Sequence, residues 1–130
     1  MLGWLKGRPR APARPILDSE FLARLEGHIG ADVVQELLSD GLIEIEDRLQ
    51  ALERAAARHD RGEALRLAHD ITGIAGHLGL SALSLASASL VREGREAPDH
   101  ATPALVAPVL ALGPDALAAL RRRVEAGVPA

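Results

Sequence analysis

The stretch ADVVQELLSDGLIEIEDRLQALERAAAR, residues 31 to 58, decides the fold. Within it Val34, Leu38, Leu42, Ile45, Leu49, Leu52 and Ala56 recur at steps of three and four residues, the stripe of a helix with one face against a core. Glu44, Glu46, Asp47, Arg48, Glu53 and Arg54 mostly fill the other sides. A helix this long with a single apolar stripe needs other helices to cover it. No strand-like alternation and no internal repeat occurs elsewhere in the sequence.

The flanking segments supply those helices. Asp18 is a good N-cap for a short helix that carries Phe21, Leu22 and Leu25 on one side and stops at Gly30. After the long helix the chain breaks at His59-Asp60-Arg61-Gly62-Glu63, where Asp60 and Glu63 form a capping-box-like start for the next helix. That helix has Ala64, Ala68, Ile71, Ile74 or Ala75, and Leu78 as its buried stripe, and Gly79 is placed to end it in a left-handed conformation. Ser81 can cap a fourth helix with Leu83, Ala86 or Ser87, and Leu90 inward, ending near Gly94. Thr102 and Pro103 read as the cap and first position of a last helix, which Pro108 and Gly113-Pro114 are expected to kink or split into pieces 103–112 and 114–126. The expected fold class is all-α: an antiparallel up-and-down four-helix bundle with a short additional N-terminal helix.

Composition fits that architecture. The 130 residues suffice for one domain. Aromatics are only 2%, Trp4 and Phe21, so the interior must be Leu, Val, Ile and Ala, a palette of helices more than of sheets. There is no cysteine, which excludes disulfides and thiolate metal sites and agrees with a reducing, cytoplasmic setting. The sequence suggests no apolar run near the ~20 residues of a membrane span, and the opening Met1 to Lys6 is too short for a signal-peptide core.

Residues 1–16 hold Pro9, Pro12 and Pro15 among Gly, Ala and Arg, and read as a flexible basic arm ahead of a helical body over 17–127. The arm is either a solvated tail or a tether, with a membrane-surface contact through Leu2, Trp4 and Leu5 as its other reading. The first seventeen residues carry four basic and no acidic side chains, leaving eleven basic against eighteen acidic residues in the body. An acidic body argues against nucleic acid as the main partner, although Arg121-Arg122-Arg123 is a small cationic cluster.

The chemistry is concentrated in Ala68-His69-Asp70-Ile71-Thr72-Gly73-Ile74-Ala75-Gly76-His77-Leu78-Gly79. Two glycines inside a helix each cost roughly 0.5 to 1 kcal/mol relative to alanine, so the missing side chains at Gly73 and Gly76 are wanted. Gly73 lies one turn beyond His69 and leaves the flank of the ring open; Gly76 extends the bare strip, and His77 sits two turns away. The buried stripe leaves His69 at the edge of the core, facing outward. An imidazole in water titrates near ~6.5 and is largely neutral at physiological pH, with a lone pair able to attack phosphorus. A bare strip beside it lets the active-site mouth of a partner approach for in-line transfer.

This segment resembles the histidine-containing phosphotransfer (HPt) domain family, whose pattern is His, aliphatic at +2, Lys at +3, Gly at +4, a small residue at +6, aliphatic at +9 and Gly at +10. The corresponding residues are His69, Ile71, Thr72, Gly73, Ala75, Leu78 and Gly79, and six of the seven agree. The layout from about residue 18 to 95 also follows the family, including the Asp60 turn; the proline-bearing tail fits less well. The resemblance implies a stoichiometric phosphoryl carrier, not an enzyme, acting in two-component signalling. His69 would take the group from a receiver-domain aspartate and pass it to another receiver, with response regulators or a hybrid histidine kinase as partners. Mg²⁺ would belong to the receiver alone, the carrier having no cofactor or metal, and a monomer is expected. Thr72 departs from the family's lysine, which neutralises the phosphoryl group. Arg66, one turn before His69, is the candidate substitute, and the Thr72 hydroxyl is a candidate hydrogen-bond donor to a phosphoryl oxygen.

Other readings compete. His69 alone would read as an ordinary surface histidine, and His77 as a polar residue beside the docking face. Gly73 has a second reading as a close helix-packing position. His28, His59 and His100 fall near helix ends or in loops and are assigned nothing. A metal-binding bundle finds no His-x-x-x-His or Glu-x-x-His pair. A relative that docks on a kinase or receiver as adaptor or inhibitor, without transfer, is the main alternative, with Thr72 as its mark.

Overall fold

The computed structural model describes residues 15–127. Most of the predicted arm, with Leu2, Trp4 and Leu5, lies outside the described residues.

All regular structure among the described residues is helical: α1 (Ser19–Ile29), α2 (Ala31–Ala57), α3 (Arg61–His77), α4 (Ser81–Gly94), a 3-10 turn (Asp99–Ala101) and α5 (Thr102–Ala126). Local chemistry sets the boundaries. The Asp18 carboxylate accepts from Phe21 N at 3.0 Å and starts α1. Gly30, with φ of 93°, turns the chain from α1 into α2. At the end of α2, His59 takes a left-handed φ of 57°, a conformation for which histidine is one of the better-tolerated non-glycine residues. Asp60 then caps α3 by accepting from Glu63 N at 3.1 Å. Gly79, with φ of 78°, carries the chain from α3 towards α4, and its carbonyl accepts from Asp18 N at 2.8 Å, so the start of α1 braces that turn.

The core is aliphatic. Leu38, Ile45, Leu52, Ile71, Leu83 and Leu120 are fully buried, each contributing roughly 1.5 to 3 kcal/mol by transfer from water. Phe21 packs against this cluster from its edge. Leu42, placed in the stripe by the sequence, is half-buried, while Gly41, Ala55 and Leu67, which the stripe left out, are buried. Polar links tie the periphery: Gln35 Nε2 donates to Val124 O at 2.7 Å, Arg121 pairs with Glu46 at 3.0 Å, and Arg123 pairs with Glu26.

Four expectations are corrected. Thr102 is the first residue of α5, not its cap; the N-cap is Ala101, and the Thr102 hydroxyl donates back to Asp99 O at 2.6 Å. Ser81 is the first residue of α4 and makes no capping hydrogen bond; the N-cap is Leu80. The last helix is not split: α5 runs through Pro108 and Pro114 as one helix of 25 residues. Both prolines are exposed, and Val106, Val109, Gly113, Ala116 and Leu120 are buried along the opposite side, so packing overrides the lost hydrogen bonds. The expectation of no span-length apolar stretch also fails. The segment Asp99–Ala126 is long and apolar enough to cross a membrane, with a mean hydropathy of 1.6 over its most apolar window. The prolines and Gly113 disguise this in the sequence; in the structure the helix turns its apolar side onto α2 and α4.

Candidate functional site

Because α3 buries Ala64, Leu67, Ala68, Ile71 and Ala75, helical geometry puts Gly62, Arg66, His69 and Gly73 along its outermost line. All four are exposed, as are Gly76 and His77. The imidazole at position 69 therefore stands in solvent on a rigid helix. The helix is anchored at one end by the Asp60 cap and at the other by the braced Gly79 turn.

The strip beyond His69 is bare in a specific sense. A β-carbon placed on Gly73 would meet nothing within 4 Å, and one on Gly76 would make only an ordinary contact with Ser84 Oγ at 3.5 Å. Gly73 is thus not a helix-packing position, and nothing among the described residues forbids a side chain there.

On the α4 side of His69, Thr72 is half-buried and its hydroxyl donates to Ala68 O at 2.8 Å, within its own helix. The hydroxyl expected to face a phosphoryl oxygen is thus already committed in this structure. Ser84 Oγ donates in turn to Thr72 O at 2.8 Å and fastens α4 to α3.

On the α2 side lies a chain of charges. Arg66 Nε donates to Glu63 Oε2 at 3.0 Å and Arg66 Nη2 to Glu63 Oε1; Arg66 Nη1 reaches Asp70 Oδ2 at 3.4 Å. Asp70 also faces Arg48 of α2, with Arg48 Nε at 3.7 Å. The hydrogen bonds from Arg66 hold the Glu63 carboxyl below its ordinary range, and the same bonds raise Arg66. Arg66 sits where the sequence placed it, but in the grip of Glu63. The spacing Glu63-x-x-Arg66-x-x-x-Asp70 is a sequence signal for this grouping; Arg48 joins it only through the fold. His77 lies further along, beside a shallow groove whose walls include Leu37, Asp40, Glu44 and Ile74. Among the described residues no cluster of three or more histidine and carboxylate side chains is arranged to hold a metal ion.

The family model for the Hpt domain matches residues 36–126, covering most of α2 and all of α3, α4 and α5. The chain therefore belongs to the Hpt domain family, the histidine phosphotransfer modules of two-component phosphorelays. Such domains carry phosphoryl groups and work against receiver domains or histidine kinases. No curated protein and no solved structure matches the chain significantly.

Proposed function

We propose that His69 is the phosphoacceptor of a phosphorelay carrier, taking a phosphoryl group from a receiver aspartate and passing it to a second receiver. The observation that supports this most is the exposed imidazole of His69 beside a Gly73 with open space for a side chain, within the residues that the family model matches. In the forward step a ring nitrogen of neutral His69 bonds to phosphorus as the aspartyl O–P bond breaks. The carboxylate leaves with the electron pair, and the imidazole carries the resulting positive charge until its other nitrogen loses a proton. In the reverse step the other nitrogen takes back a proton, an oxygen of a second aspartate bonds to phosphorus, and the N–P bond breaks with its electron pair returning to the ring, which is again neutral. Positioning and charge neutralisation supply the rate, and Mg²⁺ acts from the receiver. The chain is a stoichiometric carrier.

The proposed scaffold is an antiparallel up-and-down bundle of α2, α3, α4 and α5 with α1 as the additional helix. Paired neighbours support it: Gly41 lies by Leu78 and Arg48 by Asp70, Thr72 by Ser84 and Gly94 by Leu65, so numbers rise on one helix as they fall on the next. Gln35 by Val124 and Leu49 by Gly113 repeat the pattern for α2 and α5. Docking falls on the face of α2 and α3 around His69, with Arg66, Thr72, Gly73, Gly76 and His77 at its centre. The proposal includes a monomer without a membrane span; the absence of cysteine fits a cytoplasmic setting, and the excess of acidic residues in the body fits a protein partner more than nucleic acid.

The test is direct. Incubation with phosphorylated receivers or an active hybrid kinase should yield an acid-labile, base-stable label that His69→Gln abolishes. A stable complex with no label would mark a docking-only relative instead.

A further inference from the structure

Glu63 holds the cation nearest to His69 on its own helix. Arg66 is gripped at two points by the Glu63 carboxylate, with Nε to Oε2 at 3.0 Å, and lends Nη1 to Asp70 Oδ2 at 3.4 Å. The same Asp70 oxygen lies 3.7 Å from Arg48 Nε, too far for a hydrogen bond, and that Nε is buried without an acceptor. A buried donor left unpaired is unfavourable, and a small movement of Asp70 would relieve it. Asp70 is thus shared between two arginines and satisfies one.

The four side chains, two carboxylates and two guanidiniums, are neutral together. A phosphoryl group on His69 would bring about −1.5 to −2 of charge and three acceptor oxygens to the same outer line of α3. Glu63 then meets a competitor of higher charge for the planar, two-pronged Arg66. If Arg66 turns to the phosphoryl group, Asp70 is left with Arg48 alone, and the buried Nε–H gains the acceptor it lacks.

Taking His69 as the phosphoacceptor, we infer that Glu63, Arg66, Asp70 and Arg48 form a two-position charge relay. Arg66 rests on Glu63 when the ring is bare and turns onto the phosphoryl group when it is loaded, while Asp70 closes on Arg48. Glu63 is a positioning residue: by competing for Arg66 it limits how firmly the phosphoryl group is held and keeps it transferable. The relay substitutes for the cation that Thr72 does not provide.

Chemical loading isolates the relay from any partner. The full chain is treated with phosphoramidate, whose P–N bond breaks with loss of ammonia as a ring nitrogen of His69 bonds to phosphorus. Phosphorus NMR follows the pH midpoint of the phosphoryl group, and nitrogen NMR follows Nε of Arg48 and Arg66. On loading, both arginine resonances should move in the wild type. Glu63→Gln should lower the midpoint by a few tenths of a pH unit, and Arg66→Gln should raise it by a similar amount, with Arg66→Lys recovering part of the loss. In transfer to a receiver, Glu63→Gln should retain about two- to threefold more phosphoryl group on His69 at equilibrium. Equal midpoints in the wild type and both glutamine variants would overturn the relay while leaving His69 as acceptor. Failure of His69 to take label from phosphoramidate and from every cognate donor would remove the acceptor reading and the relay with it.

Discussion

Gly41 and Gly73 are both exceptions to helix propensity, in α2 and α3, and for opposite reasons. A β-carbon on Gly41 would stand 2.5 Å from Leu78 Cδ2, and Gly94 of α4 is pressed in the same way by Leu65. Those glycines exist because neighbouring helices come close. A β-carbon on Gly73 would meet no atom of another helix within 4 Å among the described residues. The inside of the molecule explains the first kind; the second fits the partner docking proposed above, and openness alone does not set it apart, since Gly27 of α1 is equally open. What distinguishes Gly73 is its place, one turn from His69 on the same outer line of α3.

Substitution can break this contrast. Gly41→Leu should be the most damaging change, destabilising the fold by about 2 to 3 kcal/mol or more through overpacking against Leu78, measured by chemical denaturation. Gly73→Leu should leave the fold intact and reduce transfer from a receiver about tenfold or more, with phosphoramidate labelling within about threefold of wild type. Gly73→Ala should raise stability by about 0.5 to 1 kcal/mol, with a milder loss of transfer. If Gly73→Leu transferred at the wild-type rate, the open strip would have no part in docking. Thr72→Lys should have the smallest effect, raising transfer about two- to fivefold by adding a cation beside the ring. A gain of that size would show that the Arg66 relay supplies the missing charge only in part, and no gain that it supplies it in full.

The helices were readable wherever local chemistry fixes them. Asp18 and Asp60 cap through their own carboxylates, Gly79 takes the left-handed turn assigned to it, and the stripe from Val34 to Ala56 lies inward apart from the half-buried Leu42. The segment around His69 was readable for the same reason, being contiguous on one helix. Tertiary effects were not. The continuity of α5 depends on the burial of Val106, Val109, Ala116 and Leu120 against distant residues, which no local preference of Pro108 or Pro114 reveals. The Thr72 hydroxyl turns back to Ala68 O, as helical threonines often do when nothing outside competes. Arg48 reaches Asp70 only because α2 and α3 lie side by side, and no spacing in the sequence announces that pair.

The aliphatic core has an optical consequence. The chain has no tyrosine, its one tryptophan is Trp4, and its one phenylalanine, Phe21, sits at the edge of the packed cluster. The body from Ala31 onward therefore contributes no indole or phenol absorption, and melting of its interior must be followed through peptide-bond dichroism or methyl resonances. The same silence is an opportunity: an indole introduced at the exposed Leu85, in a Trp4→Phe background, would emit alone and report the arrival of another molecule on that part of α4.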